Sequence, residues 1–177
     1  CKKLIQKFDF VSVREDTAVN LCKEHLGIEA THVLDPTLLL SADDYQKLID
    51  GLKISDSPYV FSYLLDESEE KIDILEDISK RLNLPVRKIK LEKDISKIPM
   101  SKLKSLTYPS IQEWLASFAQ ADFVVTDSFH GTVFSIIFNK PFVVLPNKGR
   151  GMSRMLSLLS DFNSKGRIIL TEKDVVD

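Results

Sequence analysis

Residues 58–65 (PYVFSYLL), 122–127 (DFVVTD) and 141–146 (PFVVLP) are apolar through their centres instead of at alternate positions. A strand of that composition has no face to show to water. It belongs in a sheet covered on both sides, and such sheets are parallel and wound with helices. The segments between these runs supply the helices. Residues 66–84 place Ile72, Leu75, Ile78 and Leu82 on one stripe, and residues 110–121 place Ile111, Trp114, Leu115 and Phe118 on another. Further strands are expected at 8–13, 31–35, 85–91 and 166–170. Further helices are expected at 14–27 with Gly27 as C-cap, at 41–50 behind the N-cap Ser41, at 128–138 and at 151–162. The polar, lysine-rich residues 92–107 read as a loop with a short helix and a solvated face.

The pattern predicts an α/β fold: a doubly wound, Rossmann-like parallel sheet of about six strands, forming one domain over residues 1–177. With 177 residues and 44% apolar side chains, the chain is large enough to close one core. It starts without a methionine or a signal pattern and is expected to enter a strand almost at once, which suggests part of a longer protein. A formal net charge of −2 gives no general electrostatic case for nucleic acid. No apolar run approaches the roughly 20 residues a membrane helix needs. Cys1 and Cys22 lack metal-binding spacing, so a reduced, cytoplasmic setting is expected, with a peripheral place at the inner face of a membrane as its variant.

In such folds ligands gather beyond the carboxyl ends of the strands, where helix N-termini present N–H groups. Three strand ends carry matching chemistry. The first ends in Ser12-Val13-Arg14-Glu15. The second runs VVTDSFHGT, where Asp127 or Ser128 can cap the next helix and Phe129, His130 and Gly131 form its first turn. The third runs through NKGRGMSR, bringing Lys148, Arg150 and Arg154 towards another helix start. Gly131 in a first helical turn costs about 1 kcal/mol against alanine, so close approach of a ligand or of another backbone is its expected motive. One imidazole, several cations and oriented N–H groups on one sheet edge suit a small, highly charged anion. Asp35-Pro36 reads as a strand terminator.

The segments SVRED, VLDPTLLL, ADFVVTDSFHGTVFSIIFNKPFVVL and RGMSRMLSLL resemble the polysaccharide pyruvyl transferase family over about residues 8–163. The resemblance implies transfer of pyruvate from phosphoenolpyruvate to sugar hydroxyls of a polysaccharide or its precursor, as a ketal. It also implies a two-domain architecture like that of GT-B glycosyltransferases, of which this chain is the C-terminal half, with an N-terminal half as partner. His130 is then the catalytic acid and Arg14 a donor-binding cation. Ser128, Phe129 and Gly131 contribute around them, and Lys148, Arg150 and Arg154 are candidates for the phosphate. No cofactor or metal is expected, with phosphoenolpyruvate as donor substrate and a saccharide as acceptor. A cleft enzyme needs both walls, so inactivity of the isolated half is an expectation. Two other readings stand beside this one. One is the nucleotide-sugar-binding half of a GT-B glycosyltransferase, with Asp161 as a weak ribose contact. The other is a non-catalytic anion-binding domain.

Overall fold

The computed structural model describes residues 2–89, 109–147 and 151–169. Four parallel strands make the main sheet: β3 (Val60–Tyr63), β4 (Val86–Lys88), β5 (Phe123–Thr126) and β6 (Phe142–Val144), in the order β4-β3-β5-β6. Their registers place Val60 beside Val86 and Phe123, and Val124 beside Phe142. A parallel bridge from Val144 to Ile168 extends the sheet by one residue pair, where a strand over 166–170 was expected. The apolar runs explain this arrangement, because side chains on both faces are buried. Phe61, Val124 and Val144 enter one core cluster while Val60, Val125 and Leu145 enter a second on the opposite side.

Two more strands, β1 (Ser12–Val13) and β2 (Thr31–His32), pair in parallel as a separate two-stranded sheet. The six strands thus divide four and two instead of lining one sheet. Phe8 and Phe10, expected within the first strand, are exposed. Residues 2–5 form a short helix, α1 (Lys2–Ile5), where an almost immediate entry into a strand was expected.

Helix α2 (Asp16–Leu21) continues into a π-helical turn (Cys22–Leu26) that ends at Gly27, whose φ of 69° supplies the left-handed cap. Pro36–Leu39 forms a 3₁₀ turn. Helix α3 (Ala42–Gln46) opens with a capping box between Ser41 and Asp44, and α5 (Ile111–Ala119) with one between Ser110 and Glu113. Helix α4 (Glu69–Leu82) buries Ile74, Leu75 and Ile78 and leaves Leu82 outside, while in α5 Leu115, Ala116 and Phe118 are buried and Ile111 is exposed. Helices α6 (Phe129–Ile137) and α7 (Met152–Asp161) complete the layer beside the site. Among the described residues no helix is long and apolar enough to cross a membrane. The lysine-rich stretch 92–107, Cys1 and the candidates Lys148 and Arg150 lie outside the described residues.

Candidate active site

The strand β5 ends at Thr126, and two consecutive residues then do different work. Ser128 caps α6, its hydroxyl accepting from the Gly131 N–H at 3.3 Å. Its own N–H donates to Thr126 Oγ1 at 3.1 Å. Asp127, which the sequence offered as an alternative cap, turns away into the sheet edge. Its carboxylate accepts the N–H groups of Leu65 at 2.6 Å and Asp66 at 3.1 Å, the ammonium of Lys71 at 2.6 Å and the amide of Asn147 at 3.0 Å. These partners come from beyond β3, from α4 and from beyond β6. Asp127 therefore stitches two loops and a helix together at the carboxyl end of the main sheet.

That position has a further meaning. In the order β4-β3-β5-β6 the chain winds one way from β3 and the other way from β5, so the crevice between them is the topological switch point. Doubly wound folds hold nucleotide phosphates there. Here the crevice holds the protein's own anion, with oriented N–H groups and a lysine already engaged.

The predicted site lies beside this plug. Arg14, just past β1, donates from Nη1 to Asp35 Oδ2 at 2.5 Å. Its guanidinium carbon lies 4.8 Å from the centroid of the Phe129 ring, and that of Arg154 lies 5.4 Å from it. His130 packs edge-on against Phe129, its Nε2 3.9 Å from Asp35 Oδ2, and its side chain is 47% exposed. Contacts to α7 from the residues after β1 and from β2 bring Arg14 here: Asp16 N–H to Ser157 Oγ at 3.2 Å, Ser153 Oγ to Glu15 Oε2 at 2.5 Å, and His32 Nε2 facing Ser157 Oγ at 3.3 Å. Arg14, Phe129, His130 and Arg154 are thus brought together, from two sheets and a helix instead of from one sheet edge.

Asp35 is the residue that sequence reasoning passed over. It terminates no strand, since β2 ends at His32. It caps the 3₁₀ turn, with Oδ1 accepting from the Thr37 N–H at 3.1 Å and hydroxyl at 2.7 Å. It is 4% exposed. Burial alone would raise its carboxyl, but the hydrogen bonds from Thr37 and Arg14 outweigh that and hold it below its ordinary value. The available signal was its place in VLDPTLLL, one of the family-like segments.

Four fields meet at His130. Burial pushes its pKa down most, Asp35 pulls it up, and Arg14 and Arg154 push it down again; the net falls below the ordinary 6.5. The free site thus favours the neutral imidazole. Of the N–H groups in the first turn of α6, that of Gly131 is taken by Ser128, and among the described residues those of Phe129 and His130 have no acceptor. The space beside Gly131 is filled from within: a Cβ there would meet Thr126 Oγ1 at 2.2 Å. Its glycine is required by the side chain of Thr126 at the end of β5, which is neither of the two expected motives, a ligand or another backbone. Asp161, the weak ribose candidate, faces His32 at 3.7 Å. Among the described residues no group of three or more acidic, histidine or cysteine side chains could hold a metal ion.

The sequence model of the family described as polysaccharide pyruvyl transferase matches residues 1–149, a span that includes Arg14, Asp35, Asp127 and His130. The chain belongs to the polysaccharide pyruvyl transferase family. It is thereby a member of a family of transferases that act on saccharide acceptors. Neither the curated proteins nor the solved structures give a significant match. Within this pyruvyl transferase chain, two arginines and the imidazole gather at the Phe129 ring, and the buried carboxylate of Asp35 bonds Arg14 and faces His130.

Proposed function

We propose that the chain binds phosphoenolpyruvate and supplies the proton for its transfer, as a pyruvate ketal, to two hydroxyls of a saccharide. The observation that carries this reading is the convergence of Arg14, Arg154 and His130 around one aromatic ring, next to the start of α6. Phosphoenolpyruvate bears a carboxylate and a phosphate on a three-carbon enol. Arginine forks and oriented N–H groups match both charges. Arg14 spends one N–H on Asp35 and has four others for the donor.

The chemistry follows from the site. An imidazolium at His130 protonates the methylene carbon of the enol, leaving an oxocarbenium-like centre at the neighbouring carbon. A sugar hydroxyl attacks that carbon and loses its proton. The carbon–oxygen bond to phosphate then breaks, phosphate departs with the bonding electrons, and a second hydroxyl closes the ketal with loss of its proton. The arginines hold the phosphate throughout. The acceptor and the opposite wall of the cleft are assigned to a second, N-terminal half in a GT-B-like arrangement. The Asp127 carboxylate in the switch-point crevice weighs against a nucleotide-sugar donor.

Calorimetric titration with phosphoenolpyruvate, and separately with a UDP-sugar, tests the reading. Phosphoenolpyruvate should bind, Arg14→Ala should weaken it about tenfold or more, and the UDP-sugar should give no heat. Binding of the UDP-sugar in place of phosphoenolpyruvate would overturn the assignment.

A further inference from the structure

Asp35, itself buried, lies at the meeting point of two groups the proposed chemistry uses. One of its oxygens is taken by Thr37, through both the N–H and the hydroxyl. That bidentate turn fixes the carboxylate on the rigid 3₁₀ element instead of leaving it on a free rotor. The other oxygen takes Arg14 at 2.5 Å and faces His130 Nε2 at 3.9 Å. A single oxygen thus touches the donor-binding cation and looks at the proton donor. We infer that Asp35 is a positioning residue that holds Arg14 over Phe129 and serves as the counter-charge that keeps the His130 imidazolium within reach.

The surroundings make the counter-charge necessary. The charged groups facing His130 are Asp35 from the loop after β2, Arg14 from the end of β1 and Arg154 from α7. Two of the three are cations, and burial of the ring also opposes its charge. Asp35 is the one group among them that favours the protonated form. Its low exposure lets it act through a medium less screened than bulk water, at a distance where an opposite charge favours the ionised form of the ring. The two tasks reinforce each other. By neutralising part of Arg14's charge, Asp35 lets a cation sit near an imidazole that must itself become cationic. Once a donor carboxylate or phosphate occupies the remaining N–H groups of Arg14, both fields favour the imidazolium.

This inference rests on the assignment of His130 as the acid, and its test is separable from that assignment. The first readout is the NMR titration of the His130 ring in the ligand-free chain, its signal distinguished from those of His25 and His32 by loss in His130→Gln. Asp35→Asn keeps the shape and removes the charge, and should move the His130 midpoint down by about half to one pH unit. It should also weaken phosphoenolpyruvate at pH 7, and Asp35→Glu should restore the midpoint in part. A role confined to capping the 3₁₀ turn would leave the midpoint in place. An unmoved midpoint in a folded Asp35→Asn chain therefore overturns the inference. If the asparagine variant does not fold, Asp35→Ser, which keeps an acceptor for the Thr37 N–H, is judged by the same criterion. Failure of the unaltered chain to bind phosphoenolpyruvate would instead count against the pyruvyl transfer reading, whatever the midpoint does.

Discussion

His130 is disfavoured as a cation in the free site and needed as one in the proposed reaction. Its folded pKa lies below 6.5, chiefly through burial, with Arg14 and Arg154 adding to the depression. The sign follows. As pH falls through the window from 6.5 to the folded midpoint, an unfolded chain takes up a proton before the folded one does, and stability falls. Donor binding at the proposed site would reverse the balance, because an anion next to the ring raises its midpoint. At pH 7 phosphoenolpyruvate should therefore bind with net proton uptake, and its affinity should rise as pH falls from 7.5 towards the free midpoint. Calorimetry in two buffers of different ionisation enthalpy measures the uptake. Protonation of the donor's own phosphate is common to the wild type and His130→Ala, so the difference between them isolates the imidazole. Equal uptake in both would remove His130 from the donor's surroundings. In an assay of pyruvyl transfer the same substitution should cost turnover about 10²–10⁴-fold, the usual contribution of a general acid.

At the scale of elements, Asp127 ties β3, α4 and β6 to the start of α6, and its pairing with Lys71 is nearly closed to solvent, the lysine being 12% exposed. Removing one charge from such a pair strands the other. Asp127→Asn should lower unfolding free energy by about 3 kcal/mol in urea, and adding Lys71→Met should recover much of that. Losses that simply add would mean that the pair contributes less than the hydrogen bonds from Leu65 and Asp66. This network was not legible in the sequence, because Asp127 and Ser128 are equally good caps and only the loop after β3 decides between them. The strands β3, β5 and β6 were legible, since an uninterrupted apolar run has few places to go. Helix settings were less so. In α4 the stripe through Leu82 and the one through Ile74 overlap on a helical wheel, and packing against β3 selects Ile74. Phe8 and Phe10 suit a strand locally, but pairing with β2 begins only at Ser12. Asp35-Pro36 gives the same local signal with or without an arginine and a histidine arriving from elsewhere in the chain.

Across the whole molecule, the site is a seam. Arg14 comes with the two-stranded sheet, His130 and Phe129 with the four-stranded one, and α7 carries Arg154 while hydrogen-bonding residues 15 and 16 through Ser153 and Ser157. With Asp127 filling the switch-point crevice, the proposed donor anion is expected on this seam and not in the middle of the main sheet. A donor held by Arg14 on one side and by the α6 N–H groups on the other would act as a strut between the two units. Binding at 100 times the Kd contributes about 2.7 kcal/mol to whatever opening releases the ligand. Saturating phosphoenolpyruvate should thus slow hydrogen exchange in both places at once: at β1, β2 and α2, and at the first turn of α6. Slowing confined to α6 would mean that the small sheet opens without releasing the donor and that Arg14 does not hold it. Slowing around Leu65 and Asp66 in place of the seam would mean that the donor displaces Asp127 and occupies the switch point after all.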